Sequence, residues 1–237
     1  MDHALLLTIL QHINVTLRHK ASSVEDLKQL FLAEIELVDK LKVIKNHLRK
    51  NDSMIEIIDR YLHKIDYKRY SNKLFLFSGV FPICLLFFYR NHSSTDYVLH
   101  PINSIHLLAR SAFISKWTPQ LNLSIESFKN QIDSLILDED YQNSLLGLAD
   151  IHEYSHLDLN DIAGGNLYDF VSGRFFKANS GLTSGELIKI AQEARKVRYL
   201  EGYVNWLTCA LHLAKKENKS KKFIHKIRYF QFEYLHV

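Results

Sequence analysis

The chain has 237 residues, 47% of them hydrophobic and 24% charged, which is ordinary globular usage and excludes a low-complexity or disordered polymer. Only 8 Gly and 3 Pro occur, too few for a loop-rich barrel or sandwich, so the expected fold class is all-α. The net charge of +4 is spread along the chain, and its one basic cluster, Lys215-Lys216 with Lys219, Lys221 and Lys222, reads as a solvated tail rather than a nucleic-acid stripe.

Residues 1–21 read as a weak form of a signal or leader segment. The apolar run Ala4 to Leu10 is short, contains Thr8, ends at Gln11-His12 and is preceded by no Lys or Arg. From Ser22 a helix is expected, because Ser22 and Glu25 have capping-box spacing. Leu27, Phe31, Ile35, Val38, Leu41, Ile44 and Leu48 then recur at a mean step of 3.5, the period of a coiled-coil seam. Glu25, Lys28, Glu34, Glu36, Lys40 and Lys45 are expected to solvate the opposite face. Asn51-Asp52-Ser53 breaks the chain, and Met54, Ile57, Ile58, Tyr61, Leu62 and Ile65 mark a second amphipathic helix. The two should form an antiparallel hairpin with apolar surface left over for a partner.

Leu74 to Tyr89 carries no charge and five phenylalanines. Sixteen residues with Pro82 in their middle are short of the ~20 that a spanning helix needs, so residues 71–95 are expected to be an atypical apolar insertion and no membrane association is expected. Helical patterning resumes at Pro101, with Ile102, Ile105, Leu108, Ala112 and Phe113 on one side. It recurs behind Ser124 with Ile125, Phe128, Ile132 and Leu135, and from about Asp140 with Tyr141, Leu145, Leu148 and Ile151. Gly164-Gly165 turns the chain, and the stretch after it reads as a long loop. Thr183 and Glu186 then form a second capping box, opening a helix with Leu187, Ile190, Ala191, Ala194 and Val197. Glu201-Gly202-Tyr203 reads as the turn into Val204, Trp206, Leu207, Ala210 and Leu211, and helix, Gly-containing turn and helix is the grammar of a tetratricopeptide-like unit. The expected division is therefore 22–139, a helical pairing region; 140–216, a partial tetratricopeptide-like module; and 217–237, a basic tail.

His152-Glu153-Tyr154-Ser155-His156 spells H-E-x-x-H, the helical spacing of two zinc-binding imidazoles with a glutamate as base. A metzincin would need Gly and His where Leu159 and Ile162 stand, and a distant third ligand at Glu186 would have to reach across what reads as a long loop. The zinc protease is therefore a remote alternative. His156-Leu157-Asp158 with His212 or His225 has the letters of an iron facial triad, but no run of strands is expected that would mount one. No residue is assigned a catalytic or metal-ligating role, and no cofactor is expected in this chain.

The order of elements resembles a known family. SSVEDLKQLFLAEIELVDKLKVIKNHL, HPINSIHLLARSAFISKW at 100–117, LLGLADIHEYSHLDLNDIAGGNL at 145–167 and LTSGELIKIAQEARKVRYLEGYVNWLTCALHLA at 182–214 together look like the N-terminal half of the collagen prolyl 4-hydroxylase α subunit. The similarity covers roughly 22–70 and 96–216. It implies a dimerisation region that pairs this chain with itself or another α subunit, its seam being Leu27 to Leu48 as above. It also implies part of a peptide-substrate-binding domain that grips proline-rich, procollagen-like chains with tyrosines. Tyr154, Tyr199 and Tyr203 are the candidates, although the family's own tyrosine positions fall at Ser155 and near Leu200 and Glu201. The family enzyme uses Fe(II), 2-oxoglutarate and ascorbate, has protein disulfide isomerase as β subunit, and works in the endoplasmic reticulum lumen. Five Asn-x-Ser/Thr sites, at Asn14, Asn51, Asn91, Asn122 and Asn218, lean toward such a compartment. The family's catalytic iron site has no match here, so this chain is expected to be inactive alone, and a free-standing helical adaptor is the alternative.

Overall fold

A computed structural model describes residues 24–48, 53–65, 97–117, 138–155, 157–169 and 173–235. Eight helices and one two-stranded hairpin occur among them: α1 (Val24–His47), α2 (Ser53–His63), α3 (Pro101–Trp117), α4 (Asp138–Ser155), α5 (Leu159–Ala163), β1 (Asn166–Asp169), β2 (Arg174–Lys177), α6 (Ser184–Lys196), α7 (Leu200–Lys216) and α8 (Lys221–Leu235). The all-α class holds. These sequence expectations lie outside the described residues: the leader, Ser22 of the first capping box, the break at Asn51-Asp52, the apolar insertion at 71–95, the pattern from Ile125 to Leu135, His156, and the Asn14, Asn91 and Asn122 sites. The chain divides into two compact units, 22–99 with 104–141, and 100–103 with 142–237.

In the N-terminal unit α2 runs back along α1, Asp59 meeting Lys45 and Tyr61 meeting Glu34. Leu27, Phe31, Val38 and Leu41 of the coiled-coil-like seam are buried, and Ile35, Ile44 and Leu48 pack partly buried against the same cluster. Their partners belong to this chain: Ile58 and Tyr61 from α2, Val98 before α3, and Leu107, Leu108 and Ile114 from α3. Phe31 stacks on Tyr97 with centroids 4.6 Å apart, and Tyr61 lies parallel to Phe113 at 6.4 Å. Part of the apolar surface that the hairpin was expected to leave over is thus met by α3. Leu30 and Leu37, also fully buried, widen the strict heptad stripe into the broad face of a core helix.

The C-terminal unit is built on short-range locks. Asp158 caps α5, its carboxylate accepting from the amides of Asn160 and Asp161 at 2.7 and 3.2 Å. Gly165 at φ +83 turns the chain, and a Cβ there would press on Ala178. The stretch read as a long loop instead contains the hairpin β1–β2, in which Leu167 faces Phe176 and Tyr168 faces Phe175; Gly173, also at positive φ, immediately precedes β2. Asn-Leu-Tyr-Asp and Arg-Phe-Phe-Lys mix polar with aromatic residues at strand length, a signal too short for periodicity to reveal. The Thr183 capping box is formed in both directions, Thr183 Oγ1 accepting from the Glu186 amide and the Glu186 carboxylate from the Thr183 amide.

Helices α6 and α7 pack as an antiparallel pair. Their far ends are tied where Glu217 accepts from the Ser184 amide at 3.1 Å and the Ser184 hydroxyl at 2.6 Å. The turn between them does not use Gly202. Arg198 takes the left-handed conformation at φ 64, and Gly202 lies in the first turn of α7, under the Tyr199 ring. Residues 217–237, read from sequence as a basic tail, contain α8, which packs along α7.

Candidate functional site

The three candidate tyrosines lie in the C-terminal unit, but they do not share one surface. Tyr154, near the end of α4, is 74% exposed. Tyr203 is buried beneath α8: its hydroxyl donates to the Phe230 carbonyl at 3.0 Å and the Arg195 guanidinium sits 5.5 Å above its ring. Burial holds its phenol above the ordinary value, with the Arg195 charge opposing. A ring in that position supports the α7–α8 contact and lines no open groove.

Tyr199 is the candidate left at an accessible junction. It precedes α7, rests against Gly202, and places its hydroxyl 3.4 Å from His152 Nδ1 on α4. Its phenol is raised by partial burial first and then by the Glu153 and Glu201 carboxylates. The neighbouring Val197 and Leu200 are exposed, so the turn presents an aromatic flanked by two aliphatic side chains. Beneath it the His152 ring meets Trp206 edge-on at 5.5 Å, and Trp206 is fully buried with its indole N–H unpaired among the described residues. Along α4, Tyr154 stands two residues from His152, about 200° around the helix, so it and Tyr199 face apart.

The sequence reading missed a second constellation, in the N-terminal unit. Arg110 donates from Nε and Nη2 to the two carboxylate oxygens of Glu34, both at 2.7 Å. Tyr61 donates to Glu34 at 3.1 Å and Tyr97 accepts from Arg110 at 3.1 Å. All four side chains are buried. Burial first, and then the Glu34 charge, hold the Tyr61 phenol well above its usual value. Burial pulls the guanidinium of Arg110 down, but the Glu34 charge and hydrogen bonds more than offset this and hold it protonated. Glu34, expected to solvate the helix, instead faces the core; lying three residues after Phe31 and four before Val38, it sits on the buried stripe, which is the signal that could have found it. A closed bidentate pair capped by two phenols offers no free acid or base, so the arrangement is structural.

Of the H-E-x-x-H letters, His152 is half-buried against Trp206 and Tyr199 rather than presented outward. Among the described residues no group of three or more His, Cys, Asp or Glu is placed to hold a metal. Cys209 is buried, donates weakly to the Leu159 carbonyl, and has its thiol pushed up by burial, so it behaves as a core group rather than a nucleophile. No family model matches this chain, and no curated protein and no solved structure matches it.

Proposed function

We propose that this chain is a non-catalytic helical interaction module, similar to the N-terminal part of a collagen prolyl 4-hydroxylase α subunit, whose C-terminal unit binds an extended proline-rich peptide. The observation that carries the proposal is the shelf at the α6–α7 turn, where Tyr199 is held by Gly202 and His152 between exposed Val197 and Leu200. A polyproline II rod loses little entropy on binding, and an aromatic ring fixed beforehand by its neighbours is what grips a pyrrolidine best. Tyr199 is accordingly the anchor, and Tyr203 serves by holding α8 in place. Self-pairing through α1 is the weaker half of the resemblance, because the seam residues are spent in the chain's own core. The five Asn-x-Ser/Thr sites support the endoplasmic reticulum lumen as the compartment, where protein disulfide isomerase would be the companion subunit.

The test is titration of the full chain with a proline-rich, collagen-like peptide, followed by tyrosine and tryptophan fluorescence. Saturable binding, weakened roughly 10-fold by Tyr199→Ala and untouched by Tyr154→Ala, is expected for a single aromatic anchor. Absence of saturation at about millimolar peptide (the weak end of specific recognition), or equal binding of a proline-free peptide, would overturn the proposal and leave a helical adaptor of other specificity.

A further inference from the structure

Helix α8 spends only part of its circumference on α7. Ile227 is fully buried, Phe223, Ile224, Phe230 and Gln231 are half-buried, and Gln231 Nε2 donates to Thr208 Oγ1 on α7. At about 100° per residue these positions gather on one side of the helix. The opposite side is a ridge of His225, Tyr229 and Phe232, the last two 56% and 61% exposed. Lys222 and Lys226 lie along one flank of that ridge, and Lys221 and Arg228 along the other.

The charges are as lopsided as the packing. Against these four cations α8 carries one carboxylate, Glu233, which lies on the Lys222–Lys226 flank and is already neutralised there by Arg195 at 3.3 Å. None of the four forms an ion pair among the described residues, and only Lys226 has an internal contact, over the Phe230 ring at 5.6 Å. The chain therefore displays a convex aromatic ridge bordered on both sides by cations left for something outside it to neutralise.

We propose that this face of α8 docks on an anionic lipid surface, with the helix lying in the plane of the headgroups. Shape selects that partner among polyanions. A nucleic-acid strand is held in a groove that tracks its backbone, whereas this face is convex. A folded protein partner needs about 800 Å² on each side, more than one face of a helix roughly 22 Å long supplies. A headgroup layer yields to a ridge: Tyr229 and Phe232 enter the interfacial zone while the lysine and arginine stems reach sideways to phosphates. No helix among the described residues is long and apolar enough to cross a membrane. The sequence alone gave no reason to expect it, because the two flanks and the ridge separate only once α8 has chosen which side to bury.

The experiment is co-sedimentation of the full chain with vesicles of phosphatidylcholine alone or with about one-third phosphatidylserine, the anionic lipid such helices recognise. Binding to the anionic vesicles only, reversed by high salt, is expected. Each cation near such a surface is worth roughly five-fold in partitioning, so Lys222→Gln with Lys226→Gln should weaken binding about 25-fold. Tyr229→Ser with Phe232→Ser should weaken it as well while leaving the salt dependence in place. All four residues are exposed, and unchanged far-UV circular dichroism and Trp206 emission confirm that the variants keep their fold. No sedimentation, equal binding to neutral vesicles, or indifference to both double substitutions overturns the proposal. Capture of a single-stranded oligonucleotide or an acidic peptide without vesicle binding also overturns it, and assigns the face to that partner instead.

Discussion

Replacing Arg110 by Met strands the Glu34 carboxylate in the core of the N-terminal unit. Glu34 is 3% exposed and accepts two hydrogen bonds from Arg110 and one from Tyr61, so the substitution leaves the phenol as its only donor among these contacts. Breaking a buried pair from one side costs about 3–5 kcal/mol, because the remaining charge is neither solvated nor compensated. Glu34→Leu should cost a similar amount, since among the described residues Arg110 then keeps only the Tyr97 hydroxyl. Removing both charges is a different perturbation. Glu34→Leu with Arg110→Met restores an apolar site of comparable volume and takes from Tyr61 and Tyr97 only the hydrogen bonds they make to this pair, a loss of about 1–3 kcal/mol. The double variant should therefore be more stable than either single one, with a coupling energy of at least about 3 kcal/mol. Urea unfolding measures this once the two units are separated spectroscopically. The chain has two tryptophans, Trp117 in the N-terminal unit and Trp206 in the C-terminal unit, so fluorescence in a Trp206→Phe background reports the first alone. Single-variant losses below about 1 kcal/mol, or additive losses in the double variant, would refute a desolvated, mutually dependent pair.

Leu41→Ala, at a fully buried seam position, should destabilise the N-terminal unit by about 2–5 kcal/mol, and sedimentation equilibrium should show no accompanying change in oligomeric state; dissociation of a dimer without destabilisation would return the seam to an interchain role. Gly202→Ala places a methyl inside the space of the Tyr199 ring, which must swing away, so it should weaken proline-rich peptide binding as much as Tyr199→Ala does; unchanged affinity would show that the shelf is not preorganised. Asp158→Ala should cost about 0.5–1 kcal/mol at neutral pH through loss of the α5 cap. The Asp158 carboxyl lies below its usual value of 3.8 because the Asn160 and then the Asp161 amides bind the charged form, so its contribution is present above that value and disappears as pH falls through the lower folded value; the gap between wild type and variant should close in acid, and a gap constant with pH would show that the cap is not the cause. Tyr61 shifts the other way. Its folded phenol stays protonated past 10.0 while the unfolded one ionises, so wild-type stability should decline above that pH and Tyr61→Phe should remove part of the decline, as alkaline urea titrations would show.

Local features of the sequence carried over into the structure. The Thr183 capping box needs only residues three apart, and it is formed in both directions. The 3.5-residue recurrence from Leu27 to Leu48 marks an apolar face that drifts by only about 10° per turn, and that face is buried or half-buried throughout. Its partner was another matter. A seam of that period packs equally well on a second chain or on a third helix, and among the described residues it packs on α2 and on α3, the latter more than fifty residues further on. Glu34 was misplaced for a related reason: a carboxylate on a buried stripe is destabilising until an arginine arrives to meet it, and Arg110 lies 76 residues away. Long-range pairs of this kind leave no trace in periodicity. The positions they occupy are nevertheless marked, since a charge on an apolar stripe requires a partner somewhere in the fold.

The candidate site was less legible than the fold, and Tyr203 shows why. From spacing alone Tyr199 and Tyr203 are one helical turn apart and fit to line the same groove. In the structure Tyr199 caps the start of α7 from outside the helix, held by Gly202, while Tyr203 turns inward beneath a segment that composition marked as tail. Which of two neighbouring aromatics a ligand can reach is decided by what covers the other, and here that cover is α8. The same helix accounts for the buried ring and for the exposed cationic ridge, because Ile227 and the Phe230 carbonyl fix its inward side and thereby its outward one. Removing α8 would expose Tyr203 and abolish the ridge together. Truncation before Lys221 should therefore raise solvent exposure of Tyr203 and end vesicle binding in one step. A truncated chain that still sediments with anionic vesicles would separate the two consequences and locate the membrane contact elsewhere.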